Sequence, residues 1–432
     1  MNYLKKIAKV IFQYEARLVL KKYKPKVIAI TGSVGKTITR DAVYQVLSKK
    51  FFVRKSEKSF TADLGIPLAV IGCDNGTGSI FQWTKNILNG FWMLVFKSHY
   101  PQWLVLEVDA DKKGDLKTAS SVISPDILVM TAIGDVPAHI EMFEDIEDFI
   151  SEKSYIIESV KRDGVIVYNS NDPRVSNLLI DVKNKKIQCG VGLGSDIFCT
   201  DFSITYSDGG PNSLPKGMEF DINYREKSYP INIKGSVGVS NQYASVLAFA
   251  VGVELGVSTH DIVSALNSFT APQGRMNLIS GLKETVMIDD SYNSSPIAMV
   301  QAVDTLSRIK TEGRKVVVVG DMFELGKFSA DEHRKLAKVI KDVADYVICV
   351  GLRARRISEV LLDNSFNENN IISVDTAESA GGELQNILEK GDVVLVKGSQ
   401  AMRMERVVEE VMRHPEDKQL LLVRQEEEWK GR

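Results

Sequence analysis

Cysteine is scarce in this chain of 432 residues: Cys73, Cys189, Cys199 and Cys349 stand far apart, with no C-x-x-C pair. That spacing signals neither a zinc site nor a disulfide framework and reads as buried thiols in a reducing compartment. Long apolar runs are missing as well. The most conspicuous, Phe91 to Phe96, falls far short of the roughly 20 residues that span a bilayer. No secretory leader is expected, because Lys9, Gln13, Glu15 and Arg17 interrupt what would be its apolar core. Neither sign of charge is in excess. Against 56 Asp and Glu stand 54 Lys and Arg, a net of −2, which argues against a dedicated nucleic-acid binder. A hydrophobic fraction of 44% with 25% charged residues excludes wholesale disorder and collagen-like or low-complexity architectures. A cytoplasmic globular protein is expected, with two or three domains at roughly 100–200 residues each.

What is present begins with a distinct opening segment. Within residues 1–26, Lys5, Lys6, Lys9, Arg17, Lys21, Lys22, Lys24 and Lys26 face one acid, Glu15, a net of 8 − 1 = +7. Leu4, Ile7, Ile11, Tyr14 and Leu18 recur at helical spacing, and Pro25 ends the pattern. The expectation is a basic amphipathic helix over 1–25 whose apolar stripe docks on the next domain while its lysines are solvated. Peripheral membrane contact through residues 1–24 is the alternative.

From Val27 onward, strands and helices alternate. Strand patterns at Val27–Thr31, Leu104–Val108, Ile127–Thr131 and Val165–Tyr168 enclose helical stretches such as 41–47 and 146–160. This rhythm predicts an α/β fold: a doubly wound, mostly parallel sheet covered on both faces. Residues 190–235, rich in Gly, Ser, Asp and Asn, read as an antiparallel β insert, and a long helix over about 241–255 follows. Near Ala271-Pro272-Gln273-Gly274-Arg275 the rhythm restarts. New strands at Val286–Asp289, Val316–Gly320, Tyr346–Val350 and Val393–Val396 alternate with helices at about 331–343 and 403–412. The reading is a central domain over 26–274 and a smaller Rossmann-like α/β domain over 275–432.

The strongest chemical signal is Thr31-Gly32-Ser33-Val34-Gly35-Lys36-Thr37, set between a strand and a helix. Glycines allow the backbone to curl so that successive N–H groups point at phosphate oxygens, and the helix N-terminus adds positive potential. Lys36 is placed to reach the β- and γ-phosphates of ATP, and the Thr37 hydroxyl to ligate Mg²⁺. The first glycine of the strict phosphate-loop pattern is absent, with Ile30 in its place. Glu107 closes an apolar strand, where a carboxylate can hold ATP-bound Mg²⁺. His139, in Pro137-Ala138-His139, and Lys153, fourteen residues on, would by themselves be a polar loop residue and a solvated helix lysine.

Taken in order, Gly32-Ser33-x-Gly35-Lys36-Thr37, Glu107, His139, Lys153, Asn241, Gly274-Arg275 and Asp289-Asp290-Ser291-Tyr292-Asn293 resemble the Mur ligases. These are the ATP-dependent amino-acid and peptide ligases of peptidoglycan precursor synthesis. Within that family the C-terminal half is most similar to the D-alanyl-D-alanine-adding members. The similarity lies in Ile288 through Pro296, in Gly320-Asp321-Met322-Phe323-Glu324-Leu325-Gly326 with His333, and in Val396-Lys397-Gly398-Ser399. It covers roughly residues 26–412. It implies that Gly32, Ser33, Gly35, Lys36, Thr37, Asn241, Arg275, Asp290 and Asn293 bind ATP. It implies that Thr37, Glu107, His139 and Lys153 attend two Mg²⁺ ions, with Lys153 carried as a carbamate. Lys36, His139 and Lys153 would be the catalytic set. The implied reaction phosphorylates a carboxylate to an acyl phosphate, which an amine captures as an amide.

The match thins where substrates would be met. Ala132 stands where the family usually has Asn, Val237-Gly238 where His-Asn is common, and Gln400 where Arg is common. The segment Phe60 to Pro67 replaces an Asn-rich stretch. The family's N-terminal UDP-binding domain is not expected in the 26 residues that precede the first strand. The implied partners are a muropeptide-like acceptor and an amino acid or dipeptide, on a monomeric enzyme. Alternatives are another acceptor (a lipid-linked precursor or a polyamino acid) or a slow ATP-hydrolysing scaffold.

Overall fold

The computed structural model describes residues 2–56, 62–74, 80–207, 213–426 and 429, with backbone alone at 2–7, 62, 63 and 80. Of the segment that replaces the Asn-rich stretch, Phe60 and Thr61 lie outside these residues.

Nine strands form the first sheet: β1 (Lys26–Thr31), β2 (Val53–Lys55), β3 (Trp103–Glu107), β4 (Ile127–Met130), β5 (Val165–Asn169), β6 (Lys185–Val191), β7 (Ile197–Tyr206), β8 (Pro215–Tyr224) and β9 (Lys227–Lys234). Their spatial order is β2-β3-β1-β4-β5-β6-β7-β8-β9. Pairing is parallel from β2 to β7 and antiparallel through β8 and β9. Within the Gly- and Asn-rich stretch β7, β8 and β9 are antiparallel to one another, as expected, but β7 joins β6 in parallel, so the stretch continues the main sheet.

The central strands are apolar throughout because both faces are covered. Ile28, Ile30, Val105, Val129 and Val167 share one core with Val43, Val46 and Leu247. These last come from helices α2 (Lys36–Leu47) and α8 (Val239–Glu254), which begin five and two residues before the expected helices and end within a residue of them. Ala29, Leu104, Leu106 and Leu128 alternate onto the opposite face and pack with Ala16, Val19 and Ile156. Between α2 and α8 in the chain lie α3 (Ala62–Ile71), α4 (Ile80–Val95), α5 (Asp115–Ser120), α6 (Ile146–Glu158) and α7 (Pro173–Leu178).

The opening helix, α1 (Asn2–Tyr23), docks on protein. Its buried residues are Ala8, Phe12, Glu15, Ala16 and Val19, so the seam is offset from the expected 4-7-11-14-18 stripe. The side chains of Leu4 and Ile7 lie outside the described residues, and Tyr14 is exposed. The small Ala8 and Ala16 allow α3 and α4 to approach, and Phe12 fills the seam against Leu68, Ile71 and Trp83, its ring 5.6 Å from that of Trp83. The helix end is tied down as well: Lys22 Nζ donates to the carbonyls of Met93, Leu94 and Phe96, and Arg17 to Ser121.

The second sheet comprises β10 (Asn277–Ser280), β11 (Val286–Asp290), β12 (Lys315–Gly320), β13 (Tyr346–Val350), β14 (Ile371–Val374) and β15 (Val393–Lys397), in the order β10-β11-β15-β12-β13-β14. All its pairs are parallel except β10–β11. The carboxyl ends of β1 and β3 in one sheet and of β11 and β15 in the other meet at a shared cleft, the usual place for ligands in open α/β sheets.

Candidate active site

The loop after β1 turns sharply at Gly32, whose φ is 144° and whose absent Cβ would lie 2.0 Å from Thr131 Oγ1. Gly35, at φ 84°, caps α2. Ile30 sits in β1, paired with Glu107 on one side and Val129 on the other, so the missing first glycine falls where a strand residue is wanted. The loop differs from expectation in one respect. The amides of Ser33 and Val34 donate to Ala132 O at 2.6 and 3.1 Å and are thus turned onto the end of β4. The anion-binding potential falls to the first turn of α2, whose amides have no intrahelical acceptor and carry the positive end of the helix dipole.

Charged groups gather beside this turn. Thr37 Oγ1 donates to Glu107 Oε1 at 3.1 Å, and buried Arg40 pairs with Glu107 Oε2 at 3.3 Å. Lys36 folds back over its own loop, 3.2 Å from Gly32 O and 2.7 Å from Asp109 Oδ2. Lys153, on α6, is fully buried and reaches Asp109 Oδ1 and Gly32 O, both at 3.4 Å. Asp109 thus bridges two lysines. Burial would raise its pKa, but the charges of Lys36, Lys153 and His139 outweigh that and hold it well below the usual carboxylate range. Burial lowers the pKa of Lys153 against the opposing pull of Asp109.

His139 occupies the left-handed region, at φ 65°, an unusual conformation for a residue with a Cβ. Its Nδ1 lies 2.6 Å from Glu324 Oε2 in the second lobe, and Nε2 lies 3.7 Å from Asp111 Oδ1. Burial pushes the imidazole down, but the Glu324 hydrogen bond and the charges of Asp109, Glu324 and Asp111 prevail, so its pKa is raised. Asp109, Asp111 and His139 each bring a ligand atom within 4.8 Å of the others. The two carboxylates of this group offer oxygen donors suited to a hard cation such as Mg²⁺.

The second lobe closes the cleft. Arg275, next to Gly274 at φ 65°, stacks its guanidinium 4.2 Å from the Tyr292 ring centroid and reaches to 3.5 Å from Thr37 Oγ1. Buried Lys397 pairs with Asp290 at 2.7 Å and donates to Asn293 O at 2.8 Å. His333 is wholly buried and fixes the Gly320–Gly326 loop: its Nε2 accepts from Met322 N at 3.1 Å. Ser399 Oγ accepts from Phe323 N at 2.8 Å, which joins that loop to the one after β15.

The resulting cavity of about 420 Å³ is lined by Ser33, Gly35, Lys36, Thr37, Glu107, His139, Arg275 and Asn293 among the residues singled out from sequence. Gly32 and Lys153 lie directly behind it. Asp290 lines a narrow adjoining slot with Arg275 and Lys397. Asn241 is apart from both: it is buried, its Nδ2 donates to Ser236 Oγ and Val237 O, and its Oδ1 has no partner. Sequence reasoning missed Asp109 and Asp111. The signal was present, since carboxylates recur at 107, 109 and 111, an extended-chain spacing that continues past the end of β3.

Comparison with known proteins agrees with this geometry. Residues 30–249 match the Mur ligase middle domain, and residues 274–400 match the Mur ligase glutamate ligase domain. A UDP-N-acetylmuramoyl-tripeptide–D-alanyl-D-alanine ligase of Bacillus subtilis (strain 168) is 27% identical over 404 residues, which covers 93% of this chain and 79% of the relative. The structure of MurF ligase from Thermotoga maritima in complex with ADP superposes with a TM-score of 0.75 at 25% identity, over 93% of this chain and 83% of that one. A Mycobacterium tuberculosis folylpolyglutamate synthase shares the fold, with a TM-score of 0.62 at 13% identity over 92% of this chain and 94% of that one. With a P-loop lobe and a hinged second lobe matched along most of its length, the chain belongs to the Mur ligase family of ATP-dependent ligases.

Proposed function

We propose that the protein joins D-alanyl-D-alanine, or a similar amino acid or dipeptide, to the terminal carboxylate of a muropeptide-type cell-wall precursor in the cytoplasm. The observation that carries the reading is the cleft itself. A P-loop helix, three carboxylates and a buried lysine on one lobe face Arg275, Asn293 and Glu324 on the other. That is the division of labour expected when one lobe holds ATP and the other delivers the amine.

ATP would lie with its phosphates at the first turn of α2, held by Lys36 and by Arg275 across the hinge. The acceptor carboxylate attacks the γ-phosphorus, the bond to the ADP oxygen breaks, and an acyl phosphate forms. The amine nitrogen then attacks the acyl carbon, the amide bond forms, phosphate departs and the nitrogen loses a proton. Lobe closure through His139 and Glu324 would keep water from the acyl phosphate.

Thr37, Glu107, Asp109, Asp111 and His139 would hold Mg²⁺, which when bound offsets the charge on the transferring phosphoryl group. Lys153 fits the carbamate reading, because burial favours its neutral amine, the form that adds CO₂. The carbamate would be an anionic oxygen ligand beside Asp109, an arrangement that calls for a cation between them.

The test is incubation with ATP, Mg²⁺ and UDP-linked muramoyl tripeptide, with and without D-alanyl-D-alanine, following phosphate release and product mass. ADP formation that depends on the amine, with a product heavier by the dipeptide, supports the reading. Hydrolysis indifferent to every amine and acceptor would contradict it.

A further inference from the structure

Helix α4 is rich in large apolar residues, interrupted by Gln82, Thr84, Lys85, Asn86 and Asn89. Trp83, Ile87, Met93 and Leu94 face inward and pack on the protein core. On the opposite side Phe81, Leu88, Phe91, Trp92, Val95 and Phe96 are exposed, Phe81 to 81% and Phe91 and Trp92 each to 61%. The spacing 81-88-91/92-95/96 sets these side chains along one side over about 22 Å at 1.5 Å per residue, with exposed Thr84 and Lys85 among them. So many large apolar side chains in one patch are ordinarily covered, and here they are left to an occupant outside the chain.

The charge around the stripe selects that occupant. No Asp or Glu occurs from residue 75 to residue 106, and exposed Asp74, whose carbonyl accepts from Asn86 Nδ2, is the nearest acid before the helix, whereas Lys85 on the helix and Lys97 just beyond it are exposed. Helix α1 lies alongside, through Phe12 on Trp83 and Lys22 on the Met93 carbonyl, and exposes Val10, Tyr14 and Lys21. Its one acid, Glu15, is buried. Protein interface cores are depleted in lysine. Exposed aromatics flanked by lysines, with no acid on the helix itself, are the pattern of a helix lying in the headgroup region of an anionic bilayer. No helix among the described residues is long and apolar enough to cross a membrane, so the contact is one of lying on the surface.

We propose that the outer face of α4, flanked by the lysines of α1 and α4, docks the protein on an anionic lipid surface. The stripe that binds is the exposed face of α4, because the buried seam of α1 is already filled by protein. The proposal is independent of the ligase reading.

Flotation of the full-length chain with vesicles of equimolar phosphatidylglycerol and phosphatidylcholine, beside pure phosphatidylcholine, tests it. Two paired variants separate the contributions: Phe91→Ser with Trp92→Ser, and Lys85→Glu with Lys97→Glu. All four positions are exposed, and unchanged circular dichroism would verify folding. The expected result is binding to the anionic vesicles, at least tenfold weaker to neutral ones, and at least tenfold weaker for either double variant. Three outcomes would overturn the proposal: no binding to either vesicle, binding that neither double variant reduces, or a concentration-dependent dimer abolished by the Phe91 and Trp92 changes in a chain that ignores vesicles. The last would make a second copy the occupant. Removing residues 1–24 is a poorer test, since it would also uncover the Phe12 seam.

Discussion

Asp109→Asn is the most revealing single change. The carboxylate lies 2.7 Å from Lys36 Nζ and 3.4 Å from Lys153 Nζ, and Lys153 has no exposure to solvent. With Lys153 as its free ammonium, before any carbamate forms, and at an effective dielectric of about 20, these attractions are about 6 and about 5 kcal/mol before desolvation. Desolvation cancels much of that, and removing one partner of a buried ion pair costs about 3–5 kcal/mol, because the remaining charge is stranded. Two stranded ammonium groups would repel, and Lys153, already lowered by burial, would discharge and cap the loss. The expected cost is therefore about 3 kcal/mol at neutral pH, shrinking in alkaline buffer. Urea melts of the wild type, Asp109→Asn, Lys153→Met and the double variant measure it. The double variant should recover about 1.5 kcal/mol or more relative to the sum of the single changes. Asp109→Asn should also bind ADP more tightly than the wild type without Mg²⁺, since Lys36 is freed and a negative charge is gone, yet lose Mg²⁺-dependent turnover. A stability loss below about 1 kcal/mol together with additive single changes would refute the bridging role argued for Asp109.

Other predictions follow from neighbouring features. Gly32→Ala should abolish nucleotide binding measured by calorimetry, because a Cβ would sit 2.0 Å from Thr131 Oγ1 in a backbone conformation that side chains rarely adopt. Lys153→Ala should lose turnover that short carboxylic acids partly restore, and undiminished activity would count against the carbamate. Phe12→Ala should destabilise by about 3–5 kcal/mol in denaturant melts, since the ring is fully buried between α1, α3 and α4. Glu15, raised to about 7 by burial, binds its proton more tightly when folded than unfolded, so its contribution to stability is present below about pH 4.5 and is lost as pH rises through 7. Glu15→Gln should therefore stabilise the protein at pH 8 by about 1–2 kcal/mol and change little at pH 4.5; equal effects at both would reject this.

The parts of the fold that were legible are those written locally. Strands such as Val316–Gly320 and Tyr346–Val350 are unbroken β-branched or apolar runs, because both faces of a parallel sheet are buried. The P-loop is a contiguous word, and Glu107 is readable because an acid closing an apolar strand stands out. Less local features were hidden. The seam of α1 is offset because small residues, not large ones, mark where α3 and α4 come close. Helix α4 stands out in the sequence mainly as the run Phe91–Phe96, because large apolar residues on its exposed side as well as its packed side blur the usual inside–outside pattern. Asp109 and Asp111 take their meaning only from the fold, which sets Lys36, Lys153 and His139 around them. Asn241 could be assigned a ligand role by position in a motif, but its burial beneath Ser236 and Val237 is a tertiary fact. The pairing of His139 with Glu324 joins residues from two sheets, and no sequence spacing encodes it.

The central claim is that the cleft makes a carboxylic acid reactive by phosphorylating it. An acceptor labelled with ¹⁸O in its carboxylate, turned over with ATP and the amine, tests this most directly by mass analysis of the released phosphate. One labelled oxygen should pass to phosphate for each amide formed; amide formation with wholly unlabelled phosphate would rule out an acyl phosphate.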